Sequence, residues 1–381
     1  MPNVLTSLAA DIYRAADVVG REQVGIITSV TLNGGAQAAA LNDAVRSHFT
    51  RPAVVGGIAP SMTIPEGTDQ TVDNKSMTLD TPASVKIPWT GEDIKHVNNG
   101  SGFETVYGDQ IAQAMRAITN QIEGSLWQVA YKGASRAFGT PGTPPFASNF
   151  NEIPQVRKIL VDNGCPFNGE MTLAIDTTAG ANLRSIATLQ KANENGSDAM
   201  LRQGELLDLQ GFKLKESAGI SLVTKGAGTG FTTTAAGFPV GTTSIPLIAG
   251  SGAINQGDVI TFAGDTNKYV VNTGTTGPGT ITISSPGLRQ AIPASATAVT
   301  VGNSYTGNIA FHRAAIELAM RPFAAPPGGD AAVDEMMVMD PRSGLSFVIR
   351  AYKGYMKSMF DVQCLYGTKA WKGDFIALLQ G

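Results

Sequence analysis

Apolar residues between positions 102 and 137 recur at intervals of three, four and five residues, as at Ile111, Met115 and Ile118. This spacing predicts one long helix, which would reach roughly 50 Å at 1.5 Å per residue. An ordinary globular helix has about 11 or 12 residues, so a helix of this length is typical of an elongated spine. Gly108, Gly124 and Gly133 are positions at which it could kink or stop early.

Residues 52 to 98 mix prolines and glycines with one alternating apolar run, Val85, Ile87 and Trp89. This pattern favours a long two-stranded excursion from the body of the protein. An isolated hairpin is only marginally stable in water, so the excursion would have to lie on a partner subunit.

Residues 152 to 220 carry a mixed pattern of helix and strand. EIPQVRKILVDNG predicts a helix and EMTLAID a strand, and TTAGANLRSIATLQKA predicts a second helix with Thr177 or Thr178 as its N-cap. The region is therefore of the α/β kind.

Residues 221 to 303 differ from the rest because they carry only five charged residues, whereas the other 298 positions carry 54. Short alternating runs, DVITF and TITIS, are separated by glycine and proline turns, which favours a small sandwich or barrel without helices. The strand signal before it and the mixed helical pattern of NIAFHRAAIELAMRPF after it predict a β domain inserted into an interrupted outer domain.

Composition narrows the possible functions. Charged residues are 15% of the chain against a usual quarter, which suits extensive burial against neighbours. The net charge of −3 makes a sequence-reading DNA-binding role improbable and leaves only loose contact with DNA. No secretory signal and no apolar window of 18 residues is found, which predicts a product made in the cytoplasm with no membrane span.

Motifs for catalysis or metal binding are weak throughout. Cys165 and Cys364 are expected to be free buried thiols, and Gly226–Gly230 a linker, since no Gly-Lys-Ser/Thr follows it. The acidic pairs fit solvated turns. The three histidines lack metal-ligand spacing and are expected to be packed or surface residues: His48, His96 and His312. The sequence predicts no catalytic, cofactor-binding or metal site.

Three segments carry a resemblance to a known family: LRQGELLDLQGFKLKESAGI before the insert, QGDVITFAGDTNKYVV inside it and NIAFHRAAIELAMRPF after it. With the order of elements, they resemble major capsid proteins of tailed double-stranded DNA phages, which have the Hong Kong 97 fold. Within that family the chain is most similar to coat proteins of short-tailed Salmonella-type phages, which carry a β-barrel insertion domain.

The resemblance implies an α+β fold in six parts. They are an N-terminal arm (1–51), an extension loop with peripheral strands (52–101), a spine helix (102–139), the first apical and peripheral α/β part (140–220), the inserted β domain (221–303) and the second apical and peripheral part (304–381).

The implied function is that of a shell subunit without catalytic activity or cofactor, made in the host bacterial cytoplasm and found in the virion capsid. Its implied partners are identical subunits in pentamers and hexamers, a separate scaffolding protein, the portal protein, packaged DNA through non-specific contact, and a decoration protein. A separate scaffold is expected because only about fifty residues with few charges precede the loop.

Some relatives cross-link their shells between a loop lysine and a neighbour's asparagine, and Lys75 is the only lysine well placed for this. Its more ordinary interpretation is a solvated lysine near the loop tip, and no site is predicted. Two other functions stay open: another repeating structural subunit, such as a tail tube or surface array, and a carbohydrate-binding or carbohydrate-degrading protein built on the β insert.

Overall fold

The computed structural model describes residues 24–35, 37–50, 57–64, 72–98, 103–191, 202–206 and 208–381. Over these residues the protein is a mixed α/β chain in which strands outnumber helices. The described helices are α1 (Gly91–Asn98), α2 (Phe103–Gly133), α3 (Glu152–Asp162), α4 (Thr177–Ser185) and α5 (Ala187–Gln190). No described helix is both long and apolar enough to cross a membrane.

Twenty strands are described, and they are numbered in chain order. They are β1 (Thr31–Gly34), β2 (Ala44–Thr50), β3 (Val72–Thr78), β4 (Thr81–Thr90), β5 (Arg136–Gly139), β6 (Met171–Ile175), β7 (Lys213–Glu216), β8 (Leu222–Val223), β9 (Phe231–Thr233), β10 (Ser244–Ile248), β11 (Val259–Phe262), β12 (Lys268–Thr273), β13 (Gly279–Ile283), β14 (Ala298–Val301), β15 (Tyr305–His312), β16 (Ile316–Arg321), β17 (Ala332–Met339), β18 (Ser346–Gly354), β19 (Lys357–Ala370) and β20 (Ile376–Gln380).

The long helix α2 has 31 residues, about 46 Å at 1.5 Å per residue. Its apolar stripe is fully buried, with Ile111, Ile122 and Leu126 each 0% exposed. It ends at Gly133, earlier than the predicted range of 102–139, and residues 136–139 form β5 instead. Residues 135–139 are hydrogen-bonded to the region of β20 instead of continuing the helix. The Ser135 amide donates to the Ile376 carbonyl at 3.0 Å, and β5 pairs with β20 in parallel.

One sheet, called the outer sheet here, lies along α2. Its strands follow the order β1, β16, β19, β18 and β17, and β4 pairs with the other side of β19 over ten residues. The prediction that residues 52–98 form one two-stranded excursion is therefore wrong at its second half. The alternating run in β4 packs with α2 in the main core. Because its apolar side chains share one face, β4 pairs with the outer sheet and buries that face against the helix.

A second sheet contains β5, β20, β15, β6 and β7, with β8 paired to β15. Through β5 it continues into six strands that pair in the order β11, β14, β9, β10, β13 and β12, and β11 also pairs with β12. These six strands therefore form a closed ring with its own core, and all of them lie between Phe231 and Val301.

The helical pattern predicted for NIAFHRAAIELAMRPF is wrong, since this segment forms β15, a 3-10 turn at Arg313–Ala315, and β16. Nearly every residue of the two strands is buried. A strand covered on both faces has a continuous apolar run rather than an alternating one, and periodicity cannot separate it from a buried helix.

The helix α3 and the strand β6 confirm the predictions for EIPQVRKILVDNG and EMTLAID. The following segment differs in two respects. It is divided into α4 and α5, and the N-cap of α4 is Asp176 rather than Thr177 or Thr178, because the Asp176 carboxylate accepts from the amides of Thr178 and Ala179. An aspartate is a better N-cap than a threonine.

Candidate interaction surfaces

A ribbon of two antiparallel strands, β2 and β3, projects from the body of the protein, with Ala44 opposite Thr78 and Thr50 opposite Val72. At its base the Leu79 amide donates to the Asp43 carbonyl at 3.0 Å, and Met77 and Leu79 are buried in a small cluster that includes residues of β16 and β19. The ribbon is thus fixed to the body at one end.

The described part of the ribbon's tip, residues 57–64, exposes large apolar side chains. Ile58, Met62 and Ile64 have relative exposures of 102%, 107% and 94%. Seven residues of strand extend about 23 Å at 3.3 Å per residue, so the far end of the ribbon lies well away from its buried base. These three apolar side chains are in full contact with water. Covering them with another surface would lower the free energy of the system, because apolar area is removed from water.

The structure places Lys75 on β3, where its ammonium donates to the Trp371 carbonyl at 2.9 Å and lies 5.7 Å from the centre of the Trp371 ring. The side chain is half-buried. The interpretation of Lys75 as a solvated lysine near the loop tip is therefore wrong: it ties the ribbon to the body of its own chain.

A groove of about 530 Å³ lies between β4 and the N-terminal half of α2. The side of β4 away from β19 has no strand paired to it in the described chain, and Pro82 and Pro88, which lack an N–H, are residues typical of such an edge. Val85, Ile87 and Ala114 contribute the apolar lining.

A second groove, of about 300 Å³, lies on the outer sheet beside its edge strand β17. Met337 and Met339 line it and are 50% and 57% exposed, and Leu32 lines the opposite side. An edge strand with exposed apolar side chains is a site for association with another chain.

One buried carboxylate in α2 joins three parts of the chain. Glu123 is 1% exposed, and its two oxygens accept hydrogen bonds from the amides of Gly25, Ile26 and Ile27 at 2.9, 2.9 and 3.0 Å. The Ser217 hydroxyl donates to the same carboxylate at 2.6 Å. We call this arrangement the Glu123 joint.

Sequence reasoning missed the Glu123 joint, although one signal was present. Glu123 follows Thr119 by four residues and precedes Trp127 by four, so it lies on the buried stripe of the helix, where an acid needs hydrogen-bond donors. Three of its four donors are backbone amides 96 to 98 residues away, which no side-chain pattern indicates.

The closed ring is joined to the body by β12, which pairs with β5, and by side chains on both sides of this junction. Arg136 is 5% exposed and donates to Asn267 in the ring and to Asp162 at the end of α3, at 3.2 Å each. The Tyr305 hydroxyl donates to the Gly257 carbonyl at 2.6 Å. Strand pairing with buried side-chain contacts makes this junction continuous with the second sheet.

Asp258 lies at the entry to the ring, directly after a turn, and is 2% exposed. Its carboxylate accepts from the amides of Gly226 and Asn255, and burial raises its pKa. A Cβ on Gly226 would lie 2.2 Å from the Ala253 carbonyl oxygen. Gly226, the first residue of the predicted glycine linker, therefore lies where two backbone segments pass too closely to admit a side chain.

Among the residues weighed for chemistry, the side chains of Cys165, Cys364 and His312 are described, and those of His48 and His96 lie outside the described part of the chain. Cys165 and Cys364 are free and buried, as predicted, and burial raises their pKa to about 11 and about 12. His312 is buried, and its Nε2 lies 3.0 Å from the Asn168 side-chain oxygen. Among the described residues, no three His, Cys, Asp or Glu side chains are placed to hold a metal ion.

Comparison with known proteins gives a similarity in structure alone. No family model matches the chain, and no curated protein matches its sequence. A chain of the capsid of the cyanophage P-SCSP1u matches with a TM-score of 0.50 at 10% identity, covering 95% of this chain and 89% of that one.

Two further solved structures match less well. A chain from the mature capsid of bacteriophage PhiM1 has a TM-score of 0.48 at 10% identity, covering 95% of this chain and 88% of that one. A chain from Mycobacterium phage Che8 has a TM-score of 0.45 at 12% identity, with coverages of 89% and 84%. The cyanophage match shows that this chain has a fold similar to that of a phage capsid chain.

Proposed function

We propose that this chain is the major capsid protein of a tailed double-stranded DNA phage, a subunit that assembles with identical copies into the head shell. The observation that carries the proposal is the similarity in fold to a chain of the P-SCSP1u capsid over 95% of the sequence. The ribbon with its exposed apolar tip supports it, because such a tip is stable only when a neighbour covers it.

Within this proposal the fold is of the Hong Kong 97 type, and several described parts of the chain have a counterpart in it. The ribbon is the extension loop, α2 the spine helix, the outer sheet the peripheral domain and the second sheet the apical domain. The closed ring is the inserted β domain. The low charge content of the chain suits surfaces that are buried in a shell.

A tail tube, a surface array and a carbohydrate-binding or carbohydrate-degrading protein are the alternatives. The separate scaffolding protein, the portal, the loosely bound DNA and the decoration protein stay predictions, as do synthesis in the host cytoplasm and location in the virion shell. Identical subunits in non-equivalent positions need weak, adaptable contacts, which favours an external template for shell curvature.

Electron microscopy of the purified chain tests the proposal, with and without candidate scaffolding proteins from the same genome. We expect monomers, spirals or mixed-size shells from the chain alone and closed icosahedral shells with the scaffold. Tubes or flat lattices under all conditions would favour the alternative structural subunits. Uniform closed shells from the chain alone would show that the scaffold prediction is wrong.

Hydrogen exchange tests the role of the ribbon. The amides of β2 and β3 should exchange rapidly in monomers and slowly in shells, because the neighbour supplies the missing cover. The fast exchange in monomers is expected for the outer part of the ribbon, residues 48–50 and 72–74, whereas the amides of Met77 and Leu79 at its base serve as an internal control, since the body holds them in both states. Equal protection of the ribbon in monomers and shells would contradict a role in subunit contact.

A further inference from the structure

A cavity of about 390 Å³ lies where the closed ring joins the body of the protein. β12 pairs with β5 at Arg136 and Ala137, whereas β5 continues beside β20 as far as Gly139. The cavity therefore lies where β5 and β12 separate, beyond Ala137. It is lined by residues of these three strands, by Glu152 at the start of α3 and by three exposed threonines: Thr140, Thr143 and Thr266.

The side chain of Gln380, on β20, lines this cavity and indicates that the cavity holds a ligand. Gln380 is 1% exposed, and neither its amide nitrogen Nε2 nor its amide oxygen Oε1 has a hydrogen-bond partner among the described residues. Buried polar groups without a partner are rare, because each one destabilises the folded chain. A polar molecule in the cavity would satisfy both the donor and the acceptor of this amide.

Two opposite charges line the cavity from different elements. Lys268 on β12 donates to the Gly139 carbonyl oxygen, and burial lowers the pKa of Lys268 because its ammonium is partly removed from water. Glu152 Oε2 is buried and accepts no hydrogen bond within the described part of the chain. Lys268 therefore does not neutralise this oxygen. Each of the two charges would be stabilised by an opposite charge brought next to it.

We propose that this cavity binds a small zwitterionic molecule of the α-amino acid class, whose carboxylate pairs with Lys268 and whose ammonium pairs with Glu152. The Gln380 amide hydrogen-bonds to the polar groups of the same ligand. The cavity volume of about 390 Å³ is in the range of small-molecule sites. An inorganic anion would be repelled by Glu152 and a metal ion by Lys268, so a ligand with both charges fits better than either.

A ligand at this position contacts the ring and the body together. Its binding therefore stabilises the junction between them, in addition to the strand pairing of β5 with β12. This binding function goes beyond the proposed shell assembly and does not depend on it.

Isothermal titration calorimetry on the unassembled, full-length chain tests the proposal with three probes of similar size. L-serine carries both charges, glycerate lacks the ammonium, and ethanolamine lacks the carboxylate. We expect saturable binding of serine and about tenfold weaker binding of each analogue, because each analogue lacks one charge-assisted contact. This comparison uses the wild-type chain, so it does not depend on how a substitution affects folding.

Two substitutions test the position of the site. Lys268→Met and Glu152→Gln should each weaken serine binding about tenfold, since each removes one charge that lines the cavity. The matched controls make the same changes elsewhere: Lys213→Met at an exposed position of β7, and Glu92→Gln in the first turn of α1. Both controls should bind serine as the wild type does, and serine should raise their unfolding midpoints by the same amount.

Three results would overturn the proposal. The first is the lack of saturable serine binding, which is expected if water or another segment of the chain fills the cavity. The second is serine binding no tighter than that of glycerate and ethanolamine. The third is equal serine binding by the wild type, Lys268→Met and Glu152→Gln, which would place the ligand elsewhere. Because shell assembly is measured separately, each of these results leaves the proposed capsid function intact.

Discussion

Removing the Glu123 carboxylate is the perturbation for which the structure gives the clearest expectation. In Glu123→Ala, the three amides of residues 25–27 and the Ser217 hydroxyl lose their acceptor inside the protein. Each buried donor without a partner costs about 1–3 kcal/mol. The substitution also removes the desolvation cost of the buried carboxylate, which offsets part of that sum. We expect a net loss of about 3–5 kcal/mol, the range for breaking a buried charged contact.

Glu123→Gln separates charge from shape. The amide keeps one acceptor oxygen, but its NH₂ group faces amide donors, so we expect a loss of about 2–3 kcal/mol, between the wild type and alanine. Asp109→Asn is the matched control, because it makes the same chemical change at an exposed position of α2. The control should change stability by less than about 0.5 kcal/mol.

Two measurements check the expectation in the unassembled chain. Urea unfolding gives the change in free energy, and hydrogen exchange reports on the amides of Gly25, Ile26 and Ile27. In the glutamine variant these amides should exchange faster, while those at the centre of β15 should be affected only through global stability. Unchanged urea midpoints together with unchanged protection at residues 25–27 would refute the reasoning.

Three further predictions follow from particular side chains and segments. Burial lowers the pKa of His312 below its usual 6.5. Its contribution to stability is therefore complete above pH 6.5 and is lost as the pH falls from there towards the folded-state pKa. The wild type should lose more free energy of unfolding between pH 7.5 and pH 5 than His312→Gln does, and an equal loss would contradict this. Cys165 and Cys364, with their pKa raised to about 11 and about 12, should resist a thiol reagent at pH 8 in the native chain and react in denaturant, whereas rapid native labelling would show them to be accessible. The isolated segment 221–303 should give a strand-type circular dichroism spectrum and a cooperative melt, because the six-stranded ring closes on its own core; a featureless spectrum without a transition would oppose this.

The elements that the sequence predicted well have a regular period or a sharp change in composition. The helix α2 keeps its apolar stripe over many turns, and TITIS alternates as a half-buried strand does, at β13. DVITF forms the strand β11 as predicted, although Val259 and Ile260 are both buried. The periods of α2 and β13 are local properties of the chain, so neighbours along the sequence are sufficient to identify them.

The elements that were missed depend on partners distant in sequence. Burial of β15 between β20 and β6 hides its period, and β4 leaves the ribbon because β19, almost 280 residues later, offers a pairing edge. The Glu123 joint likewise depends on backbone amides. Where the partner is a backbone, the sequence contains no residue type that would reveal it.

The position of β20 has a consequence for how the protein comes to be folded. This strand lies between β5 and β15, so neither can complete its pairing until residue 380 has left the ribosome. β5 is made about 240 residues earlier, which at 5–20 residues per second is roughly 10 to 50 s of synthesis. During that interval the nascent chain exposes apolar strands that are buried in the finished protein. A chaperone would bind these strands while the chain is still being synthesised.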